Sequence, residues 1–322
     1  MINLVESRKS KVERLHGLGT ALITPFTADG SVDFEALARL LDTQLTGCVD
    51  YIVVLGTTGE AATLSADEKR EVRRFIVNYV GQCTIHNSYP KGTIISQFTI
   101  PLVLGVGGNN TAAVCAELKG MKEELERDYS AILSVCPYYN KPNQEGLYQH
   151  FCKVAEASPI PVILYNVPGR TGVNLLPETV MRIYEAHPET VIGIKEASGN
   201  VEQIKDLIKL SAVSHQPSDF LVISGDDGIA CEVMEAGGAG LISVASNAFA
   251  EDFWHIVHDK DAALQARYAE MVRLLFAEGN PVGIKAVLAQ KGIIQNYLRL
   301  PLVPASVELQ AQIAEELNLC VR

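Results

Sequence analysis

The sequence predicts an α/β chain folded as a (β/α)8 TIM barrel with a C-terminal helical extension. Eight short apolar runs alternate with longer stretches of helical spacing and charged faces, the pattern of parallel strands covered on both sides. At 322 residues the chain has room for such a barrel, which takes about 250. Most of the runs end in polar or glycine-rich turns, as strands do at the C-terminal mouth of a barrel.

Strands are expected at 20–24, 51–55, 102–106, 131–135, 162–165, 191–195, 220–224 and 240–244. Between them lie helical stretches such as DFEALARLLDTQL (33–45) and SADEKREVRRFIVNY (65–79). The second opens with Ser65 and carries Glu68 three residues on, the spacing of a capping box. Residues 15–258 are read as the catalytic barrel and 259–322 as a C-terminal helical region, broken by RLPLVP at 299–304. An open doubly wound sheet is the rival architecture. It calls for a glycine-rich loop after its first strand, where this chain has Pro25-Phe26, and Gly105-Val106-Gly107-Gly108 does not fit G-x-G-x-x-G.

Composition narrows the function classes. With 48% hydrophobic residues and 20% charged ones the chain can bury a sizeable core. Its 27 Lys plus Arg against 38 Asp plus Glu give a net charge of −11, which argues against nucleic-acid binding. No run approaches the ~18 apolar residues that span a bilayer, and residues 1–14 lack the apolar core of a secretory signal. The seven cysteines are scattered with no C-x-x-C pair, so reduced thiols in the cytoplasm are expected rather than disulfides or a zinc site.

The strand ends hold the candidate chemistry. Lys195 closes the apolar run Val191-Ile192-Gly193-Ile194. An apolar setting disfavours an ammonium and frees the amine to attack a carbonyl. The alternative is a strand-end lysine that reaches water or pairs with Glu196. Tyr165 and Tyr139 stand at neighbouring strand ends, where they serve either as proton donors or as packing groups with one hydrogen bond. Gly56-Thr57-Thr58-Gly59 offers N–H groups and hydroxyls for a carboxylate, or forms a plain tight turn. His255 and His258 are three apart without a matching third ligand and read as surface residues; Asp226-Asp227 reads as a turn or cap. No metal site is expected.

Taken together, GTTGE (56–60), PYYNKP (137–142), YNVPGRTG (165–172), GIKEASGN (193–200) and ISGDDG (223–228) closely resemble the dihydrodipicolinate synthase / N-acetylneuraminate lyase family, from about Gly17 to Pro304. The resemblance implies a Schiff-base lyase that condenses pyruvate with L-aspartate 4-semialdehyde on the route to diaminopimelate and lysine. It implies Lys195 as the imine-forming residue, Tyr165 as the proton-moving tyrosine, and Thr57 as the hydroxyl linking Tyr165 to Tyr139. The resemblance also implies that Tyr139 enters a neighbouring subunit's site. Arg170 is similar to the arginine that receives the semialdehyde carboxylate, and Thr58, Gly225 and Ile242 to positions that frame pyruvate. No cofactor and a homotetramer built as a dimer of dimers are implied as well. Sister aldolases and lyases share several of these motifs, but the pairing of Tyr139 with Gly169-Arg170-Thr171-Gly172 favours the synthase. A catalytically silent barrel is the remaining alternative.

Two departures from the pattern carry expectations. The connection GQCTIHNSYPKGTIISQFTI (81–100) is longer than is usual and should lie at the face away from the chemistry. Ala66, Lys69 and Ala113 stand where lysine-inhibited relatives place histidine and glutamate, so weak or absent feedback by lysine is expected.

Overall fold

The computed structural model describes residues 12–82, 100–213 and 220–320. Eight strands form a closed barrel in the order β1 to β8: β1 Gly17–Ala21, β2 Tyr51–Val54, β3 Leu102–Val106, β4 Ala131–Val135, β5 Val162–Asn166, β6 Val191–Glu196, β7 Leu221–Ser224 and β8 Gly240–Ser243. The pairs from β3 to β8 are parallel and consecutive. Nearly every strand residue is buried, which is why the runs are continuously apolar instead of alternating. Burial of each such aliphatic side chain contributes about 1.5–3 kcal/mol relative to exposure.

By contact density the chain forms two compact units. Pro101–Ile242, with the segment up to Gly19, make one. In it, Val135, Tyr165, Lys195 and Ile223 share one row across β4, β5, β6 and β7. Against β6 the register shifts by one residue between Val162 and Ile163 and is one-to-one beyond it, which sets Lys195 between Tyr165 and Ile223. The helices that lead away from β3 and β4 start on side-chain caps. Asn110 accepts from Ala113 N and Asn143 from Gly146 N, each satisfying an N–H that the first helical turn leaves unpaired.

Thr20–Ile100 and Ser243–Arg322 make the other unit. Asp33 caps the helix Phe34–Thr46 by accepting from Ala36 N at 2.9 Å. The capping box at Ser65 forms reciprocally: Ser65 N donates to Glu68 Oε2, and Glu68 N donates to Ser65 Oγ. That helix runs Ala66–Gln82, a turn beyond the expected boundary. After β8 come the helices Ser246–His258, Ala262–Arg267, Ala269–Phe276, Val282–Gln290 and Val307–Cys320. The RLPLVP segment separates the last two, because proline cannot continue a helix.

The first strand departs most from expectation, beginning at Gly17 and ending at Ala21 instead of spanning 20–24. Gly17 N already donates to Ala239 O at 2.9 Å. Leu22 N still donates to Val53 O at 3.1 Å; from Ile23 on, side chains take part, with Ile23 N donating to Asn247 Oδ1 and Thr24 Oγ1 to Gly59 O. The other strands agree with the sequence reading to within one residue. Most of the long connection, residues 83–99, lies outside the described residues.

Candidate active site

Lys195 is 6% exposed, on the last but one residue of β6. Its Nζ lies 4.5 Å from the centre of the Tyr165 ring. The neighbouring Glu196 does not take up this amine. Successive strand residues face opposite ways, and the fully buried Glu196 carboxylate is claimed elsewhere. It accepts from Asn166 Nδ2 at 2.9 and 3.1 Å, Ser198 N at 2.8 Å and Gln203 Nε2 at 2.9 Å. Asn166 also donates to Asn174 Oδ1 and accepts from Leu175 N. One buried network therefore ties the end of β5, the end of β6 and the segment that follows Arg170. Sequence reasoning missed Asn174 and Gln203, because nothing in their spacing marks them as partners of Glu196.

Gly225 follows β7 and donates its N–H to Glu196 O at 2.8 Å. A methyl group there would stand 2.9 Å from Lys195 Cε and 2.5 Å from Ala197 Cβ, so the close approach of this backbone to Lys195 depends on having no side chain. Ile242 is buried on β8. Arg170 sits on the short helix Pro168–Thr171 with an exposed side chain. The turn after it uses Gly172 at φ 74°, where a methyl group would stand only 3.1 Å from Lys141 Cε. The loop that carries Tyr139 thus lies against the turn that carries Arg170. Tyr139 itself is 88% exposed at φ 73°. A left-handed backbone at a bulky residue costs on the order of 1–3 kcal/mol and clusters at functional sites.

Thr57 and Thr58 lie on the 3-10 turn Thr57–Gly59 after β2. Thr57 is half-buried; Thr58 is buried, and its Oγ1 accepts from Asn280 Nδ2 at 2.9 Å. Glu60, the last residue of GTTGE, is buried and forms an ion pair with Lys285. Sequence reasoning missed Asn280, Lys285 and Arg299, which lie more than 200 residues along the chain from this turn.

The weaker motifs have ordinary local partners. His255 Nδ1 and His258 Nε2 each lie 2.7 Å from a carboxylate, Asp259 and Asp50 respectively. Asp226 caps a single turn by accepting from Gly228 N. Among the described residues no helix is long and apolar enough to cross a membrane.

The profile of the dihydrodipicolinate synthetase family matches residues 14–319. The chain belongs to this family. It is 45% identical over 311 residues to the 4-hydroxy-tetrahydrodipicolinate synthase of Parabacteroides distasonis, covering 94% of this chain and 96% of the relative. Among solved structures, dihydrodipicolinate synthase from Thermotoga maritima superposes with a TM-score of 0.85 at 36% identity, covering 95% of this chain and 98% of that one. The chloride-inhibited synthase of Acinetobacter baumannii, solved with pyruvate, gives 0.84 at 35% identity over 95% and 99%.

Proposed function

We propose that the protein is a Schiff-base-forming lyase of the 4-hydroxy-tetrahydrodipicolinate synthase type, condensing pyruvate with L-aspartate 4-semialdehyde. The observation that carries this is Lys195, an amine buried beside the Tyr165 ring while the adjacent carboxylate is occupied by amide donors. Lys195 Nζ attacks C2 of pyruvate, and the carbinolamine loses water to give an imine. The imine draws electrons from C3, which gives up a proton and then bonds to the aldehyde carbon of the second substrate. The amine of that substrate next attacks C2, closing the ring and releasing Lys195. The imine is the electron sink for every step, so the chemistry asks for no metal or organic cofactor.

In this reading Tyr165 moves protons at the lysine, a role typically worth about 10²–10⁴-fold in rate. Thr57 and Tyr139 complete its relay, and the outward position of Tyr139 supports its use in a neighbouring subunit's site. Thr58, Gly225 and Ile242 frame pyruvate. Arg170 receives the semialdehyde carboxylate with its planar fork. A homotetramer in the cytoplasm is the assembly and setting this reading carries.

Incubation with pyruvate and borohydride, followed by peptide mapping, tests the centre of the proposal. A stable adduct on Lys195 is expected, with none in Lys195→Ala; an unmodified wild-type protein overturns it. Coupled turnover with aspartate semialdehyde, set against N-acetylneuraminate, separates the synthase from a sister lyase.

A further inference from the structure

Four contacts converge on the turn that carries Thr57 and Thr58. Asn280 Nδ2 donates to Thr58 Oγ1, and Thr24 Oγ1 donates to Gly59 O at 2.7 Å. Lys285 forms its ion pair with Glu60, and Arg299 N donates to Glu60 Oε2 at 3.2 Å. Glu60 holds φ 51° and ψ 33°, a left-handed conformation that closes the turn through its N–H to Thr57 O. For a residue with a side chain that conformation is uphill, so something must hold it.

Lys285 is wholly enclosed. Besides Glu60, its Nζ donates to Tyr297 O at 3.0 Å and lies 4.2 Å from the centre of the Phe26 ring. Burial pulls its ammonium down to about 8, even with Glu60 opposing the shift. The same volume filled by apolar side chains is often as stable or more so. Stability alone is therefore a poor account of a charge kept here. Arg299 extends the arrangement outward, binding Gly30 O, Thr63 O and Glu68.

We infer that Lys285, with Asn280 and the Arg299 backbone, is a positioning residue that fixes the Thr57-Thr58 turn in the shape that receives the pyruvate carboxylate. The helices beyond the eighth strand thereby act in substrate binding as well as in packing. This rests on the proposed function, since it takes the turn to be the pyruvate cradle.

The test uses the full chain and three variants: Asn280→Ala, Lys285→Met, and the double replacement of Glu60 and Lys285 by Met. For each, the pyruvate dependence of borohydride-trapped adduct on Lys195 is measured, with kcat, both KM values and the thermal midpoint. Wild type comes first: an adduct-free wild type sinks the proposed function itself, whereas an adduct leaves this inference to stand or fall on the variants. The double variant is expected to stay folded, with half-saturation by pyruvate raised tenfold or more. Asn280→Ala is expected to raise it three- to tenfold, with the semialdehyde KM unchanged. Wild-type half-saturation in the folded double variant overturns the inference. Should neither Lys285 variant fold, Asn280→Ala decides: unchanged pyruvate dependence overturns it, and the selective rise upholds it.

Discussion

Replacing Gly225 by alanine tests whether the amine's position, and not merely its presence, governs the chemistry. The added methyl would lie 2.9 Å from Lys195 Cε and 2.5 Å from Ala197 Cβ. Carbons in good contact stand about 3.5–4.0 Å apart, so the end of the lysine must retreat by roughly half an ångström or more. Misplacement by 1 Å can cost about 10²-fold in rate, which puts the loss near tenfold. The clash with Ala197 cannot relax by a side-chain rotation and falls on stability, at about 1–3 kcal/mol for an overpacked core. The two effects separate in the assay. Thermal unfolding reads the Ala197 contact, and the rate of borohydride-trapped adduct at saturating pyruvate reads Lys195. We expect a folded protein with a lowered midpoint and adduct formation slowed about tenfold. Adduct formation at the wild-type rate in Gly225→Ala would refute the reasoning.

Other predictions follow from buried polar groups and caps. Burial holds the His150 imidazole down at about 4, from 6.5 in an unfolded chain, and Nδ1 lies 2.9 Å from Thr111 Oγ1. The neutral ring belongs to the folded state, so its contribution is complete above pH 6.5 and is lost as pH falls toward 4. At about 1.4 kcal/mol per unit the loss approaches 3 kcal/mol, and denaturant titrations across that window should show it, with a shallower slope in His150→Gln. Glu196→Gln puts an NH₂ where a carboxylate oxygen accepts from amide donors, leaving donor facing donor; a cost of about 1–3 kcal/mol is expected, and an unchanged urea midpoint would contradict the network. Asp33→Ala should cost about 1 kcal/mol through the lost cap, read from the same titration. L-Lysine at submillimolar concentration should leave turnover near its uninhibited rate, given Ala66, Lys69 and Ala113; half-inhibition there would contradict the expectation.

The amino-acid order alone determined the alternation of buried strands and capped helices, because period and capping are local properties. It marked Lys195, Tyr165 and the GTTGE turn by their place at strand ends, where a barrel carries its chemistry. The strand limits at Gly17–Ala21 were not legible: apolar content continues to Ile23, and only partners distant in sequence show that pairing begins at Gly17 with Ala239 and gives way at Ile23 to the Asn247 side chain. Nor was the fate of Glu196, which sequence left open as a partner for Lys195. Amide groups from Asn166 and Gln203 and the Ser198 N–H fill its oxygens, and the pleat turns it from the lysine. Lys285 was silent for the same reason. A charge is costly to bury unless an opposite charge meets it, and the meeting of Lys285 with Glu60 exists only once residues more than 200 apart have been folded together.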